Sequence, residues 1–248
     1  MTLAEKIEQI RKDKSTEPKV KYMCDKCKDT HLIVYIDAEG NQRAKDCECM
    51  ALSTSQRLMR ASGIDPEDVN INFRDFNTFD EPELKIAKSI AFKFSQEYRM
   101  QKYSKANSLL LSGLPGRGKT MLGFAVSNNL IRDGIPVLYV SYRDMITELK
   151  QNITDKEEYS GEVDRMKNID VLFIDDLFKG KITESDINIM YELINYRYLK
   201  RLPIIVSTEK TIQQLIDIDE ALGSRIVEMC KKYTIGFSKS ANYRLRSE

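Results

Sequence analysis

The sequence GLPGRGKT, at residues 113–120, decides the fold, because it fits the pattern G-x-x-x-x-G-K-[ST]. It follows the apolar run SLLL and precedes a segment of helical character, which is the strand–loop–helix setting that this pattern requires. Glycines let backbone N–H groups turn toward anionic oxygens, and the start of the next helix adds positive potential. The motif therefore predicts a phosphate-binding loop.

The chemistry of this loop assigns roles to its residues. We expect Lys119 to contact the β- and γ-phosphates of ATP, and so to act in catalysis, and the Thr120 hydroxyl to bind Mg²⁺. The predicted nucleotide-binding residues are Gly113, Leu114, Pro115, Gly116, Arg117, Gly118, Lys119, Thr120 and Met121.

Two carboxylates end the apolar run VLFIDD at residues 171–176. Asp175 comes directly after four apolar residues, so it is expected at the carboxyl edge of the sheet, beside the phosphate loop, as a magnesium-associated carboxylate. Asp176 is the candidate for polarising the attacking water, although its side chain is one methylene shorter than that of glutamate. The alternative interpretation is that both are acidic residues at the start of a helix.

Strands and helices alternate from residue 83 onward. Apolar runs at 108–113, 137–142, 171–176, 203–208 and 233–237 predict five strands, separated by helices at 84–103, from 119, within 144–167, at 187–200 and at 221–229. Continuous apolar runs are typical of strands buried on both faces. The fold class is therefore α/β, with a parallel five-stranded sheet between helices.

Four of the five cysteines lie close together: Cys24, Cys27, Cys47 and Cys49. The pairs C-x₂-C and C-x-C, joined by a predicted hairpin that begins with HLIVYID, fit a tetrahedral Zn²⁺ site in a small amino-terminal module. His31 could replace one cysteine as a ligand, and four free thiols are the plain alternative. A segment with so few apolar residues needs the metal for stability.

Composition excludes several classes of protein. Of the 248 residues, 42% are hydrophobic and 31% are charged, which argues against wholesale disorder. The net charge of +1 means that any contact with nucleic acid must come from a local patch. The apolar runs are too short to span a bilayer, and charges interrupt the amino terminus. We therefore expect a cytoplasmic protein with no membrane partner.

Several motifs together resemble one known family. These are GLPGRGKT, VLFIDDL, INYRYLKRLPIIVSTEKT and IDEALGSRI, in this order between residues 70 and 245. This set is similar to that of the DnaC/DnaI-type helicase loaders, AAA+ P-loop ATPases that include phage-encoded members and the related transposition helper IstB. The resemblance implies an AAA+ core without a carboxyl-terminal lid, which we place at 69–248. The module before it, at 1–68, contains the predicted zinc site and a weakly amphipathic helix that apolar spacing predicts at 1–20.

The resemblance also implies partners and a further catalytic residue. Arg225 would be the arginine finger that completes the ATP site of a neighbouring subunit, so that hydrolysis is weak without self-association. The amino-terminal module would bind a hexameric replicative helicase of the DnaB type, which the protein delivers onto single-stranded DNA. Glu209 stands where loaders usually have a sensor asparagine, which puts the sensor chemistry in question or moves it to Thr208.

Two other functions remain open from the sequence. One is a transposase-helper ATPase of the IstB kind, and the other is an ATP-binding switch with little turnover. Contact with single-stranded DNA would come from the insertion at 142–168 or from the basic carboxyl-terminal tail, whose aromatic residues Tyr233, Phe237 and Tyr243 could stack on bases. An ordinary solvated surface with core aromatics is the alternative for that tail.

Overall fold

The computed structural model describes residues 24–28, 30, 32–50, 68–238 and 242–243. The chain divides into two compact units, Met1–Met50 and Ala51–Glu248. The predicted helix at 1–20 lies outside the described residues, and so do residues 51–67, which flank the predicted boundary after residue 68. The division into 1–68 and 69–248 therefore stays a prediction.

The first unit contains an antiparallel hairpin of β1 (Leu32–Ile36) and β2 (Gln42–Asp46), in which Leu32 lies opposite Asp46. The turn is closed by the Asp37 carboxylate, which accepts hydrogen bonds from the backbone N–H groups of Glu39 (3.1 Å) and Asn41 (2.8 Å). Because the two strands are antiparallel, their outer ends bring the two cysteine pairs to the same end of the hairpin.

The second unit begins, in the described part of the chain, with a 3₁₀ turn at Asp68–Asn70. Helices and strands then alternate: α1 (Pro82–Gln101), β3 (Leu109–Gly113), α2 (Lys119–Arg132), β4 (Val137–Ser141), α3 (Tyr142–Gln151), α4 (Lys156–Asn168), β5 (Val171–Leu177), α5 (Glu184–Lys200), β6 (Ile204–Thr208), α6 (Ile212–Ile218), α7 (Glu220–Cys230) and β7 (Tyr233–Phe237).

The second unit is built on one sheet with the strand order β4-β5-β6-β3-β7, and every neighbouring pair is parallel. This confirms the predicted parallel five-stranded sheet. The order places β3, β5 and β6 side by side at the centre, so the residues that follow these strands meet at one edge of the sheet. The phosphate loop after β3 is thereby brought next to the carboxylates that end β5.

Both faces of the sheet are buried, which explains the continuous apolar runs. Leu109 and Leu111 point into a core with α1 and α2, whereas Leu110 points into a second core formed with α3, α4, α5 and α7. The same alternation divides β5, where Phe173 faces the first core and Leu172 the second. Apolar residues of the central strands therefore have apolar neighbours on either face of the sheet, whereas Gly236 in the edge strand β7 is exposed.

One helix in the second unit was not predicted from the sequence. The seven-residue α6 precedes α7, and only a helix around 221–229 was expected. Thr211 and Gln214 form a capping box, because the Thr211 hydroxyl accepts from the Gln214 backbone N–H while the Gln214 side chain accepts from the Thr211 N–H. These mutual hydrogen bonds stabilise a helix too short to show apolar periodicity.

The fully buried side chain of Arg197, on α5, joins helices to the sheet. Its guanidinium donates to five backbone carbonyls, those of Met166, Lys167, Ile169, Asp170 and Pro203, at 2.7–3.2 Å. Burial lowers the pKa of Arg197 to about 9, so the group is still charged at neutral pH. This one side chain therefore joins the end of α4 to the starts of β5 and β6, where the Pro203 carbonyl also accepts from the Leu172 N–H at 3.3 Å.

We expect Arg197→Met to lower the free energy of unfolding by at least about 3 kcal/mol, since each buried acceptor left without a donor costs roughly 1–3 kcal/mol. Chemical denaturation of the full chain measures the loss. The control is Arg132→Met, which changes an exposed arginine at the end of α2. Equal stability of the two variants would show that the carbonyls find other donors.

None of the helices within the described ranges is both long and apolar enough to cross a lipid bilayer.

Candidate nucleotide and metal sites

A cavity of about 410 Å³ lies at the phosphate loop. Its walls come from the loop, the start of α2, the segment before α1, the carboxyl ends of β5 and β6 with the residues that follow them, and Tyr243. The lining residues are Asp68, Ile71, Pro115, Gly116, Arg117, Gly118, Lys119, Thr120, Met121, Phe124, Asp176, Lys179, Glu209 and Tyr243. Seven of the nine predicted nucleotide-binding residues line it. Gly113 and Leu114 do not: Gly113 packs against Phe237, and Leu114 contributes its carbonyl.

The loop conformation requires glycine at two positions. Gly116 has φ +71°, and a Cβ there would lie 2.2 Å from the side-chain oxygen of Asn242. Gly118 has φ +83° and is the N-cap residue of α2, and its Cβ would lie 2.9 Å from the Phe76 ring. Any other residue would combine backbone strain with a steric clash.

Lys119 begins α2, and its side chain is buried beneath the loop. Its ammonium donates a 2.9 Å hydrogen bond to the carbonyl of Leu114, so the lysine side chain folds back toward the start of the loop. Burial lowers the pKa of the Lys119 ammonium from its usual value. A phosphate oxygen would offer this ammonium the negative charge that the carbonyl cannot supply.

Thr120 and Asp175 are in direct contact, although they are 55 positions apart. The Thr120 hydroxyl lies 3.0 and 3.1 Å from the two carboxylate oxygens of Asp175. Ser207 also donates to Asp175, and the Tyr139 hydroxyl does so at 3.3 Å. A hydroxyl and a carboxylate held together are oxygen ligands of the kind that Mg²⁺ prefers, so this pair fits the metal.

Burial raises the pKa of the Asp175 carboxyl above its usual range, while the hydrogen bonds from Ser207 and Thr120 act in the opposite direction. A cation bound beside this buried carboxylate would stabilise its charged form. Ser207 was missed by the sequence reasoning, because a serine inside an apolar strand carries no signal of its partner.

Asp176 lines the cavity and forms an ion pair with a lysine side chain. The Lys179 ammonium lies 2.6 Å from a carboxylate oxygen of Asp176 and 3.6 Å from one of Glu209. Glu209 therefore faces the cavity with a positive partner, and Lys179 was not identified from the sequence. Thr208, the alternative sensor residue, is fully buried and donates to the Leu177 carbonyl at 2.8 Å.

Arg225 lies on α7 and is not among the residues that line the cavity of its own chain. Its guanidinium donates to the Ala221 carbonyl at 2.6 Å. It also lies over the rings of Tyr191 and Tyr198, 5.2 and 5.5 Å from their centroids. In this chain the guanidinium is held by cation–π contacts with α5.

Tyr243 contacts the phosphate loop. Tyr243 donates from its backbone N–H to the Gly116 carbonyl at 2.5 Å, and its hydroxyl accepts from the Asn77 N–H at 2.7 Å. Its ring stacks on Phe76 at 5.3 Å between centroids. Phe76 and Tyr243 were not identified as residues of the nucleotide site, because residues so distant in the chain give no local sequence signal.

For two of the three tail aromatics the structure agrees with the interpretation that they are core residues and not with a role in stacking on bases. Tyr233 and Phe237 lie in β7 and are 2% and 3% exposed, so their rings are not available to stack on bases. Aromatic residues are also common at inward-facing positions of strands, so aromatic residues in a sequence do not by themselves distinguish a base-stacking surface from a core strand. The tail residues Lys239, Arg244 and Arg246 lie outside the described residues, and the insertion at 142–168 forms α3 and α4.

The four cysteines of the first unit form one cluster. Their sulfur atoms all lie within 4.8 Å of one another, with Cys24 and Cys47 at 3.8 Å and Cys27 and Cys49 at 3.3 Å. Each pair lies on a tight turn, where Lys28 donates to the Cys24 carbonyl and Met50 to the Cys47 carbonyl. His31, the alternative ligand, lies outside the described residues.

The cluster fits zinc. Four Zn–S bonds of about 2.3 Å in a tetrahedron place the sulfurs about 3.8 Å apart, close to the observed spacing. Cys27 and Cys47 are buried and their partners are half-buried, so the sulfurs face a common interior point. A hydrogen bond from the Cys27 backbone N–H lowers the pKa of the Cys24 thiol to about 7, whereas burial raises the pKa of the Cys49 thiol above its usual range.

The parallel sheet, the phosphate loop and the adjoining Thr120–Asp175 pair define a P-loop nucleotide-binding protein. The model of the family described as IstB-like ATP binding protein matches residues 55–248, and the chain belongs to this family.

Similar proteins include XkdC of the phage-like element PBSX in Bacillus subtilis. It is 38% identical over 91% of this chain and 87% of its own length. The replicative helicase loader DnaC of Escherichia coli is 26% identical over 70% of this chain and 68% of its own length. The crystal structure of the DnaC helicase loader has a TM-score of 0.61 at 21% identity, covering 70% of this chain and all of that one.

These comparisons confirm the resemblance to the DnaC/DnaI-type proteins and the predicted fold class. The predicted absence of a carboxyl-terminal lid stays a prediction, since residues 239–241 and 244–248 lie outside the described residues. The roles of the individual site residues also stay predictions.

Proposed function

We propose that this protein is an ATP-dependent helicase loader, which binds a hexameric replicative helicase of the DnaB type and delivers it onto single-stranded DNA. The observation that carries the proposal is the contact between Thr120 and Asp175 beside the phosphate loop, in a chain homologous to a curated helicase loader over 70% of its length. The contact places the two proposed Mg²⁺ ligands, the Thr120 hydroxyl and the Asp175 carboxylate, side by side in a fold that this chain shares with the DnaC helicase loader.

Each residue of the site has a role in this proposal. Lys119 binds the terminal phosphates, Thr120 and Asp175 hold Mg²⁺, and Asp176 orients the attacking water. When bound, ATP would supply the phosphoanhydride bond that is hydrolysed, and Mg²⁺ would act as the Lewis acid. Arg225 of one subunit completes the site of the next, so hydrolysis depends on self-association. We propose weak turnover by the isolated chain.

The proposed helicase-binding surface is on the first unit. Leu32, Val34 and Ile36 alternate along β1, so their side chains share one face of the strand, and they are 48%, 56% and 73% exposed. A row of exposed apolar side chains on a small module is typical of a protein-binding surface. In this proposal the bound Zn²⁺ stabilises the hairpin, and so holds the row of β1 side chains in place.

The test mixes the full chain with candidate hexameric helicases and measures the size of the complexes with and without ATP. We expect a complex, and we expect Lys119→Ala to weaken nucleotide binding roughly tenfold or more, since a charge-assisted hydrogen bond contributes about 1.5–3 kcal/mol. Lys85→Ala is the control, because Lys85 pairs with Asp80 on the surface and does not line the cavity. No complex with any helicase would contradict the proposal.

The family match favours one other candidate function. The matching family takes its name from IstB, so a transposase-helper ATPase that acts on target DNA is the second proposal. It uses the same nucleotide site with a different partner. Co-purification with a transposase, together with no binding to a helicase, would favour it over the loader.

A further inference from the structure

The end of β5 and the turn that follows it carry the side chains of Asp176 and Lys179 on a strained backbone. Asp176 has φ +54° and Phe178 has φ +61°, and both are non-glycine residues in the left-handed region. Such conformations persist only where the surroundings hold them, and they are concentrated at functional sites. Here the surroundings are specific: the Asp176 N–H donates to Ser207 at 2.8 Å, and the fully buried Phe178 ring contacts Tyr142.

The turn places Lys179 inside the nucleotide cavity, on the same wall as Asp176 and Glu209. Its ammonium pairs with Asp176 at 2.6 Å and with Glu209 at 3.6 Å, although its side chain is 41% exposed. The hydrogen bond to Asp176 raises the pKa of Lys179, so the group is charged at neutral pH. A cation thus separates two carboxylates in a cavity that is proposed to accept a triphosphate.

The charges of this cavity explain why such a cation is useful. Glu209 and Asp176 would both repel a terminal phosphate, and a triphosphate together with these two carboxylates carries more negative charge than Lys119 and Arg117 can neutralise. Lys179 is the other lysine among the cavity-lining residues. While it is bound to Asp176, one oxygen of that carboxylate is occupied and is not available to orient water.

We propose that Lys179 is a second triphosphate-binding lysine, which exchanges its ion pair with Asp176 for the terminal phosphate and so makes nucleotide binding release the Asp176 carboxylate. This inference rests on the proposed ATPase site and adds a discrimination between triphosphate and diphosphate. It also gives Glu209 a role, because Glu209 keeps Lys179 at the cavity wall when Asp176 is released.

A purely structural ion pair is the competing explanation. Lys179 and Asp176 are three positions apart, and partly exposed pairs of this kind contribute little to stability. A structural pair predicts that losing Lys179 affects all nucleotides equally. The proposed role predicts a loss that is confined to the triphosphate.

The test measures binding of fluorescent ATP and ADP analogues, with Mg²⁺, to the full chain carrying Lys179→Met. We expect triphosphate affinity to fall roughly tenfold or more and diphosphate affinity to stay close to that of the unmodified protein. Lys179→Arg should recover part of the loss. The control is Lys85→Met, which removes a comparably exposed lysine that pairs with Asp80 outside the cavity.

A second variant tests the role of Glu209. In the Lys179→Met background, Glu209 faces the triphosphate without its cation, so adding Glu209→Gln should recover part of the lost triphosphate affinity. No recovery, or equal losses for triphosphate and diphosphate, would overturn the proposal. Thermal unfolding of each variant confirms that the fold is kept.

The outcomes separate this inference from the proposed function. If the triphosphate-specific loss is found but no helicase binds, the inference stands and the loader function fails. If the unmodified protein binds neither nucleotide, the proposed ATPase site and the inference both fail. If nucleotide binds normally and Lys179→Met changes nothing, only the inference fails.

Discussion

Assembled protein carrying Arg225→Ala is expected to hydrolyse ATP roughly 10³–10⁵-fold more slowly than the unmodified assembly, the range found for arginine fingers elsewhere. The physical reason is that a guanidinium placed at the transferred phosphoryl group stabilises charge that develops only in the transition state. ATP binding should change much less than turnover. Phosphate release by the helicase-bound protein measures the rate.

The position of Arg225 makes the test sharper. In this chain the guanidinium lies against Tyr191 and Tyr198 and does not line its own nucleotide cavity, so it would have to act on a neighbour. A mixture of Arg225→Ala and Lys119→Ala chains should then recover turnover that neither has alone. An intact phosphate loop on one chain would meet an intact arginine on the next.

Two controls protect this interpretation. Arg225→Lys keeps the charge but loses the planar fork, and we expect it to recover little of the rate. Thermal unfolding shows whether loss of the cation–π contacts destabilises α7, an effect unrelated to catalysis. Equal turnover of Arg225→Ala and the unmodified protein, or no recovery in the mixture, would contradict an arginine finger acting between subunits.

The parts of the fold that were predictable depend on local sequence. The central strands were recognisable because strands buried on both faces are rich in apolar residues, and the phosphate loop because its pattern of glycines allows positive φ. Asp175 was predictable for a related reason, since the end of a central parallel strand lies beside the loop. Short α6 was not, because two turns of helix carry no clear periodicity.

The parts that were missed depend on contacts between distant residues. Lys179 reaches Asp176 and Glu209 only because Asp176 and Phe178 adopt left-handed backbone conformations, which a sequence without glycine there does not indicate. Tyr243 lies 127 positions beyond Gly116, and Arg197 has the sequence pattern of an exposed helical arginine. For these residues only the assembled fold determines the partner.

Removal of metal is expected to unfold the cysteine module. Structural Zn²⁺ in small modules contributes about 10–16 kcal/mol of apparent binding free energy, far more than a two-stranded hairpin can supply by itself. The β1 side chains Leu32, Val34 and Ile36 are exposed, so β1 and β2 bury little apolar surface of their own. Without metal we therefore expect the hairpin, and the proposed helicase-binding face on it, to be lost.

The measurement is the metal content of the purified full chain, followed by limited proteolysis after chelation. We expect about one Zn²⁺ per chain and rapid cleavage between residues 24 and 50 once the metal is removed. Cys27→Ser and Cys47→Ser, which change the two buried ligands, should each lower the zinc content, whereas Cys230→Ser should not. Cys230 is the matched control, because it is fully buried in the second unit.

Nucleotide binding separates loss of the module from loss of the whole protein. The cysteine cluster lies in the unit Met1–Met50 and the phosphate loop in the unit Ala51–Glu248, so Cys27→Ser should abolish helicase binding while ATP affinity is kept. A purified chain that contains no zinc, yet resists proteolysis between residues 24 and 50 and still binds helicase, would show that the four thiols pack without a metal ion.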